Sequence, residues 1–327
     1  EGRSAAGAPF HGKVSQGQAI RILTGANLPT GVDTVVLQED VSANAQQVSF
    51  HGPLKRGANA RAAGEDMQQG QTILQKGRLV TPADTGMLAA AGIGEVVAFK
   101  RLRLGILSTG DELCEAGQTA HAGQIYDANR PMLCAMAARW GYDVIDLGRA
   151  PDNRSQLRTM LNDGASRCDA IIASGGASAG DEDHMSALLQ GTGSLALWRI
   201  AMKPGRPLAL GLWENTPVFG LPGNPVAAMV CALIFAHPSL RFMAGGTWTP
   251  PESYLLPAAF AKSKKDGRRE YLRARYVNGH VETFASEGSG RVSGLSWATG
   301  LVELDDAAQT INQGDLVRFI PFASFGL

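Results

Sequence analysis

Ala170-Ile171-Ile172-Ala173-Ser174-Gly175-Gly176-Ala177-Ser178-Ala179-Gly180 is an apolar run feeding a loop of small residues, and Asp181-Glu182-Asp183 follow it directly. Four apolar residues bounded by Ser and Gly read as a strand buried on both faces. Such strands belong to parallel sheets covered by helices. Outward from this strand, the middle of the chain repeats the theme. Strands are expected over residues 102–107, 142–147, 207–212 and 217–220, and helices over 129–138, 154–163, 185–190 and 226–235, with Asn129 as a cap and Gly141 as a stop. The alternation implies an α/β fold with a mainly parallel sheet, whose ligands bind at the carboxyl ends of the strands.

Both flanks of this core read as β. Toward the N-terminus, residues 19–23 and 33–37 look like strands punctuated by Gly25, Gly31, Gly52 and Gly57. Thr81-Pro82-Ala83-Asp84 has helix-start chemistry, with a helix ending near Gly92 and a strand over 94–99. Toward the C-terminus, residues 271–277 alternate cleanly, 281–284 follow a turn at Asn278-Gly279, and 316–320 close the chain. The expected division is a small β-rich domain over 1–70, a linking helix-strand segment over 71–100, the α/β core over 101–248 and a β domain over 249–327.

Composition excludes several classes. The chain has 327 residues, 44% of them hydrophobic, with 30 basic and 30 acidic residues, so it has no basic excess to mark nucleic acid as a partner. No uninterrupted apolar run reaches membrane-spanning length, and the N-terminal EGRSAAGAPFHGKV lacks a signal-peptide core. The absence of an initiator Met points to a piece of a longer protein. Cys114, Cys134, Cys168 and Cys231 are far apart and form no CxxC, which reads as free thiols in a reducing cytoplasm. His184 alone among six histidines sits near the candidate loops, and a lone His there reads as a hydrogen-bonding or surface residue.

Two other loops share the make-up of Ser174-Gly175-Gly176: Ser108-Thr109-Gly110-Asp111-Glu112 after a strand, and Leu221-Pro222-Gly223-Asn224-Pro225 before a helix. Gly, Ser and Thr loops let backbone N–H groups approach a phosphate, and neighbouring carboxylates suit a divalent cation or proton transfer. Lys203-Pro204-Gly205-Arg206-Pro207 brackets a turn with two cations suited to phosphate or an oxyanion, and Arg199 lies four residues earlier. Each feature also has a plain reading. Asp111 and Glu112 could begin a helix, Asp127 and Asp152 could cap theirs, and the turns at Thr24-Gly25 and Gly64-Glu65-Asp66 could be ordinary.

Taken in order, Arg21-Ile22-Leu23-Thr24-Gly25-Ala26, Gly64-Glu65-Asp66, Ser108 to Leu113, Gly123-Gln124-Ile125-Tyr126-Asp127, Ser174-Gly175-Gly176, Gly180 with Asp183, Met202 to Pro207 and Leu221 to Pro225 closely resemble the molybdopterin molybdenumtransferase family, called MoeA in bacteria and the E domain of gephyrin in animals. The resemblance spans essentially the whole chain. It implies a molybdopterin-binding core and insertion of molybdate into adenylylated molybdopterin, with Mg²⁺-assisted release of AMP. It also implies a cytoplasmic homodimer with its cleft at the subunit interface, molybdopterin adenylyltransferase as upstream partner, and neither nucleic acid nor membrane.

Carried over residue by residue, the resemblance assigns Glu112, Asp152 and Asp183 to metal binding or proton handling, and Lys203 and Asp66 to the catalytic set. It assigns Thr24, Ser108, Thr109, Gly110, Asp111, Ser174, Gly175, Gly176, Arg199, Arg206, Pro222, Gly223, Asn224 and Pro225 to substrate binding. The family often has Lys where this chain has Arg199. Thr24 and Asp66 are expected to face the partner subunit's cleft. The 71–100 segment would be a remnant of the family's N-terminal domain. The family's N-terminal motif, similar to DNSAMDGYA, has no match here, so the chain is expected to bind substrate and turn over poorly. The alternatives are a molybdopterin adenylyltransferase, a scaffold or molybdopterin-binding protein without turnover, and a nucleotide pyrophosphatase of the competence-damage type.

Overall fold

The computed structural model describes residues 2–175, 184–191 and 197–327. It divides into two compact units, Glu1–Gln75 with Gly86–Gly92, and Lys76–Thr85 with Ile93–Leu327. The first unit carries only short strands: β1 (Arg3–Ser4) pairs in parallel with β2 (Arg21–Ile22), and β3 (Val41–Ala43) pairs antiparallel with β4 (Val48–Phe50). The strand expected over 33–37 is absent. Val35 instead donates its N–H to the Ala58 carbonyl and accepts from the Asn59 side chain, so loop partners take the groups a ladder would use. Helix α1 (Pro82–Ala90) starts as expected: Thr81 N–H donates to Asp84 Oδ2 at 2.9 Å, and Asp84 N–H donates back to Thr81 Oγ1 at 3.2 Å. The strand expected over 94–99 is absent too. Val96, Val97 and Phe99 are exposed, and no strand among the described residues pairs with them.

The α/β core contains β5 (Arg103–Thr109), β6 (Leu113–Cys114), β7 (Ile125–Tyr126), α2 (Asn129–Arg139), β8 (Asp143–Ala150), α3 (Arg154–Arg167), β9 (Ala170–Ser174) and α4 (His184–Gly191). It continues with β10 (Leu197–Arg199), β11 (Met202–Lys203), β12 (Pro207–Trp213), β13 (Thr216–Leu221), α5 (Pro225–Cys231) and α6 (His237–Met243). The six-stranded sheet runs β10-β12-β13-β9-β5-β8; β13, β9, β5 and β8 are parallel, and β12 and β10 add an antiparallel edge. Residue alternation gives the two faces. Leu104, Ile106, Ala170 and Ile172 join one cluster with α2 and α5, whereas Leu107, Ile171 and Ala173 join the other with α3 and α4. Two buried faces explain why the 170–174 run needs no polar alternation.

A π turn at Ala232–Ala236 joins α5 to α6, so the helix expected to stop near residue 235 continues to Met243. Pro238 falls in the first turn of α6, where a missing N–H costs little. The resulting span Pro225–Met243 corrects the membrane reading. It has 19 residues and mean hydropathy 1.6, long and apolar enough to cross a bilayer, yet 56% of its apolar window is buried inside the protein, as a core helix would be.

The C-terminal segment holds β14 (Tyr254–Pro257), β15 (Lys262–Lys264), β16 (Arg269–Val277), β17 (His280–Thr283), α7 (Ser293–Trp297), β18 (Gly300–Leu304), β19 (Gln309–Ile311) and β20 (Leu316–Pro321). Its sheet runs β11-β16-β18-β20-β14, with β17 beside β16 through the expected turn, where Asn278 (φ 47°) and Gly279 (φ 89°) are both left-handed. The parallel β11–β16 pair brings Lys203 opposite Glu270. All four cysteines are free.

His237 is half-buried against Trp140, with ring centroids 4.7 Å apart. Burial and the Arg241 charge pull its pKa from an ordinary 6.5 down to about 4. Between those values the unfolded chain binds the proton better, so stability falls as pH drops through that window. The melting temperature should therefore decrease from about pH 7 to about pH 4.5. His237→Gln should flatten that decrease, and parallel pH curves for the two proteins would contradict the assignment.

Candidate active site

The register of the parallel strands sets the geometry of the site. Ser108 in β5 lies opposite Ser174 in β9, and Ser174 lies opposite Leu221 in β13. Three strands therefore end level, and the loops after them emerge at one edge of the sheet. Gly175 is where they meet. Its φ is +91°, and a Cβ there would lie 2.6 Å from the Thr109 carbonyl oxygen. A Cβ on Gly223 would lie 3.8 Å from the Gly175 Cα. Gly175 N–H donates to the Leu221 carbonyl at 3.1 Å, closing the second loop onto the third. Only glycine permits this approach of backbones.

A buried carboxylate holds the first loop. Ser108 Oγ donates to Asp127 Oδ2. Asp127 also accepts from the Arg130 backbone N–H at 3.1 Å and from Arg130 Nε at 3.2 Å. Arg130 extends the network to Asp146 at 2.6 Å and Glu115 at 2.9 Å, and its contacts with Asp146 first, then Asp127, raise its pKa far above its ordinary value against the cost of burial. Asp127 thus serves strand β5 as well as the start of α2. Asn129 does not act as the expected cap. It is the first residue of α2, and its Nδ2 donates to the Gly223 carbonyl at 2.6 Å, tying the helix to the third loop. Two buried polar atoms at these loops, Thr109 Oγ1 and Asn129 Oδ1, have no hydrogen-bond partner among the described residues. Buried polar groups are normally paired, so unpaired ones here suit a polar ligand.

The carboxylates lie at the same edge. No helix follows Asp111 and Glu112; the chain enters β6, and Ile125 N–H donates to the Glu112 carbonyl at 2.8 Å. Asp111 and Asp152 exchange reciprocal hydrogen bonds, each N–H donating to the other's carboxylate at 3.1 and 3.2 Å, which ties the end of β5 to the end of β8. Asp152 does not cap α3. Asn153 does, accepting from Ser155 and Gln156 N–H groups. The Glu112 carboxylate folds over Gly110, whose φ of +139° leaves no room for a side chain.

Lys203 belongs to a second cluster. Its Nζ donates to Glu287 Oε2 at 2.6 Å and lies 3.7 Å from Glu270 Oε2. The Lys203-to-Arg206 turn packs on α5: a Cβ on Gly205 would lie 3.6 Å from the Ala227 carbonyl oxygen. The loop bearing Glu287 is tied to the start of α5 by Val226 N–H donating to the Ser289 carbonyl at 3.0 Å. Buried Arg273 holds that loop by donating to the carbonyls of Arg291, Ser286 and Gly288. A cavity of about 210 Å³ opens beside Lys203, Lys262, Arg273 and Glu287. A larger apolar cavity of about 750 Å³, lined by Met229, Tyr254, Tyr276 and Phe319, includes none of the strand-end loops.

Comparison with known proteins agrees with this architecture. The chain matches the MoeA N-terminal region (domains I and II) over residues 1–92, a probable molybdopterin binding domain over 105–241, and the MoeA C-terminal region (domain IV) over 256–322. It is 35% identical to a molybdopterin molybdenumtransferase of Haemophilus influenzae, over 98% of this chain and 81% of that one. The chain belongs to the molybdopterin molybdenumtransferase family. A second relative, molybdopterin molybdenumtransferase 2 of Mycobacterium tuberculosis, is 33% identical over 90% of this chain and 75% of its own. The crystal structure of a molybdopterin biosynthesis MoeA protein from Pyrococcus horikoshii superposes with a TM-score of 0.84 at 26% identity, covering 98% of this chain and 79% of that one.

Of the residues the family resemblance assigns, the fold gathers Ser108 to Glu112, Asp152, Ser174, Gly175 and Pro222 to Pro225 at one sheet edge. Lys203 lies in the neighbouring cluster, and Arg206 is exposed on its turn. Thr24 and Asp66 are exposed in the other compact unit. Gly176 and Asp183 lie outside the described residues, as does the side chain of Arg199 in β10. Among the described residues, no group of three or more His, Cys, Asp or Glu side chains is placed to hold a metal ion. Sequence reasoning passed over Arg273, Lys262 and Glu287. Their partners come from distant segments, and the alternation expected over 271–277 would set Arg273 on the face opposite Leu272 and Ala274, whereas residues 270–274 are all buried.

Asp127→Ala would orphan Ser108 Oγ and remove one partner of Arg130. Chemical denaturation should show a loss of about 2–3 kcal/mol, the cost of unpairing buried charged hydrogen bonds. A loss no larger than that of an ordinary surface substitution would show that the network does not hold the loop.

Proposed function

We propose that the chain is a molybdopterin molybdenumtransferase that inserts molybdate into adenylylated molybdopterin with Mg²⁺-dependent release of AMP, the final step in making the molybdenum cofactor. The observation that carries this reading is the convergence of Ser108–Gly110, Ser174–Gly175 and Leu221–Asn224 at one sheet edge, in a chain of this family. Backbone N–H groups at such an edge suit a phosphate, and preorganised donors stabilise charge as it develops on a leaving phosphate. Lys203 would add a cation, and we assign Arg199 and Arg206 to substrate binding.

Mg²⁺ takes one or two carboxylates together with substrate phosphates and keeps several waters. The exposed Glu112 and Asp152, at the ends of neighbouring strands β5 and β8, supply such oxygens, and Asp183 is the third member we assign. Bound there, Mg²⁺ would polarise the phosphoanhydride. The Asp152 carboxylate is held at the edge by the Asp111 N–H, and the Glu112 main chain is held there by the Ile125 N–H. We assign Asp66 and Thr24 to the partner subunit's cleft in a cytoplasmic homodimer, with molybdopterin adenylyltransferase supplying the substrate. Family membership supports these assignments, and the matches over 1–92, 105–241 and 256–322 suit boundaries near residues 100 and 248.

The test mixes adenylylated molybdopterin, Mg²⁺, molybdate and the protein, and quantifies AMP and inserted molybdenum together. Molybdate-dependent AMP release is the expected result. Lys203→Met and Glu112→Gln should each lower its rate by roughly 100-fold with little change in melting temperature. Tight molybdopterin binding without AMP release would contradict the transferase reading and favour a binding protein.

A further inference from the structure

The cation assigned to hold anionic substrate is already occupied. Glu287 Oε2 accepts from Lys203 Nζ at 2.6 Å, and Glu287 Oε1 accepts from Lys262 Nζ. Glu270 lies 3.2 Å from the same Lys262 ammonium and 3.7 Å from Lys203. The four charges sum to zero, so an incoming dianion meets no net attraction from the lysine pair while both carboxylates are seated.

The two carboxylates are held differently. Glu270 is buried within β16, directly across from Lys203 in the β11–β16 register, and cannot leave without opening that sheet. Its charge is matched by Lys262, whose side chain is only 12% exposed. Glu287 rides on the loop between β17 and α7, and its side chain is 46% exposed. One carboxylate oxygen on each of two ammonium groups is also the arrangement a tetrahedral oxyanion would adopt. Although burial raises the Glu287 pKa, its hydrogen bonds from Lys203 and Lys262 leave it below the ordinary carboxylate value, so the group is an anion. Arg273 fixes the loop backbone through three carbonyls, which leaves the side chain as the part able to swing out.

We infer that Glu287 is a displaceable carboxylate that occupies the anion position between Lys203 and Lys262 until an oxyanion of the substrate replaces it, and that it thereby sets the affinity of the site for that anion. The inference rests on reading Lys203 as a substrate-binding residue. Glu287 does no chemistry; it competes. The competition lowers the affinity of every anion for this position by the same factor, and a dianion, attracted more strongly to two ammonium groups than chloride is, still displaces the carboxylate.

The experiment titrates molybdate, and separately chloride, into wild type and Glu287→Gln at fixed ionic strength by calorimetry. Molybdate should bind the variant about tenfold tighter, and its advantage over chloride should not shrink, because the same competitor is removed for both anions. Lys203→Met in the Glu287→Gln background should abolish that gain, placing the anion at this position. Glu287→Asp, which keeps the charge on a shorter arm, should fall between wild type and Glu287→Gln; it also serves if the glutamine variant folds poorly. Unchanged or weaker molybdate binding in a folded Glu287→Gln protein overturns the inference, as does absence of binding in every variant. The readout needs no turnover. A tenfold gain without AMP release would sink the transferase reading and leave the competition standing; normal AMP release with unchanged affinity would do the reverse.

Discussion

The buried Asp127 carboxylate is the constraint on which the strand-end site depends. It accepts from Ser108 at the end of β5 and from both the backbone and side chain of Arg130 in the first turn of α2. Arg130 then reaches Asp146 in β8. One carboxylate therefore fixes a strand, the helix that packs over it and the neighbouring strand. A buried charge that lost its partners would cost several kcal/mol, roughly a third of the margin of a typical domain, so the set forms together or not at all. Asn129, one residue before Arg130, carries the same order to Gly223 and the loop before α5. The phosphate-sized edge is a consequence of this brace and of the level register of β5, β9 and β13.

Two kinds of anion recognition sit side by side. The sheet edge offers the buried Thr109 hydroxyl and loops of small residues, groups that suit a phosphate without carrying a formal charge. The Lys203–Lys262 cluster offers formal charge, compensated by Glu287 and Glu270. Formal positive charge is thus concentrated and compensated locally in a chain whose net charge is zero. Size of cavity is a poor guide here. The cavity of about 750 Å³ is apolar and holds none of the strand-end groups.

The core was legible because burial on both faces writes itself into local sequence. Ala170 to Ala173, the Asn278-Gly279 turn and the Thr81–Asp84 helix start each carry their cause within a few residues. Residues 33–37 and 94–99 have strand composition, but a strand needs a neighbour, and no local signal says whether one is present. The helix expected over 226–235 runs on to Met243 through the π turn at Ala232–Ala236, which nothing in the local sequence marks. At the site, the loops were legible because glycine and small hydroxyl residues mark close backbone approach. The Asp111–Asp152 exchange and the Glu287–Lys203 pair were not, since each joins segments 41 and 84 residues apart whose meeting is a property of topology.

The central claim is that the strand-end loops and Lys203 form one site for a phosphorylated molybdopterin. A crystal structure of the protein with adenylylated molybdopterin bound tests it most directly. The account predicts phosphate oxygens within hydrogen-bonding distance of Ser108–Gly110, Ser174–Gly175 and Gly223–Asn224, with the ligand extending toward Lys203. Ligand seated in the apolar cavity beside Met229 and Tyr254, with the strand-end loops empty, would contradict it.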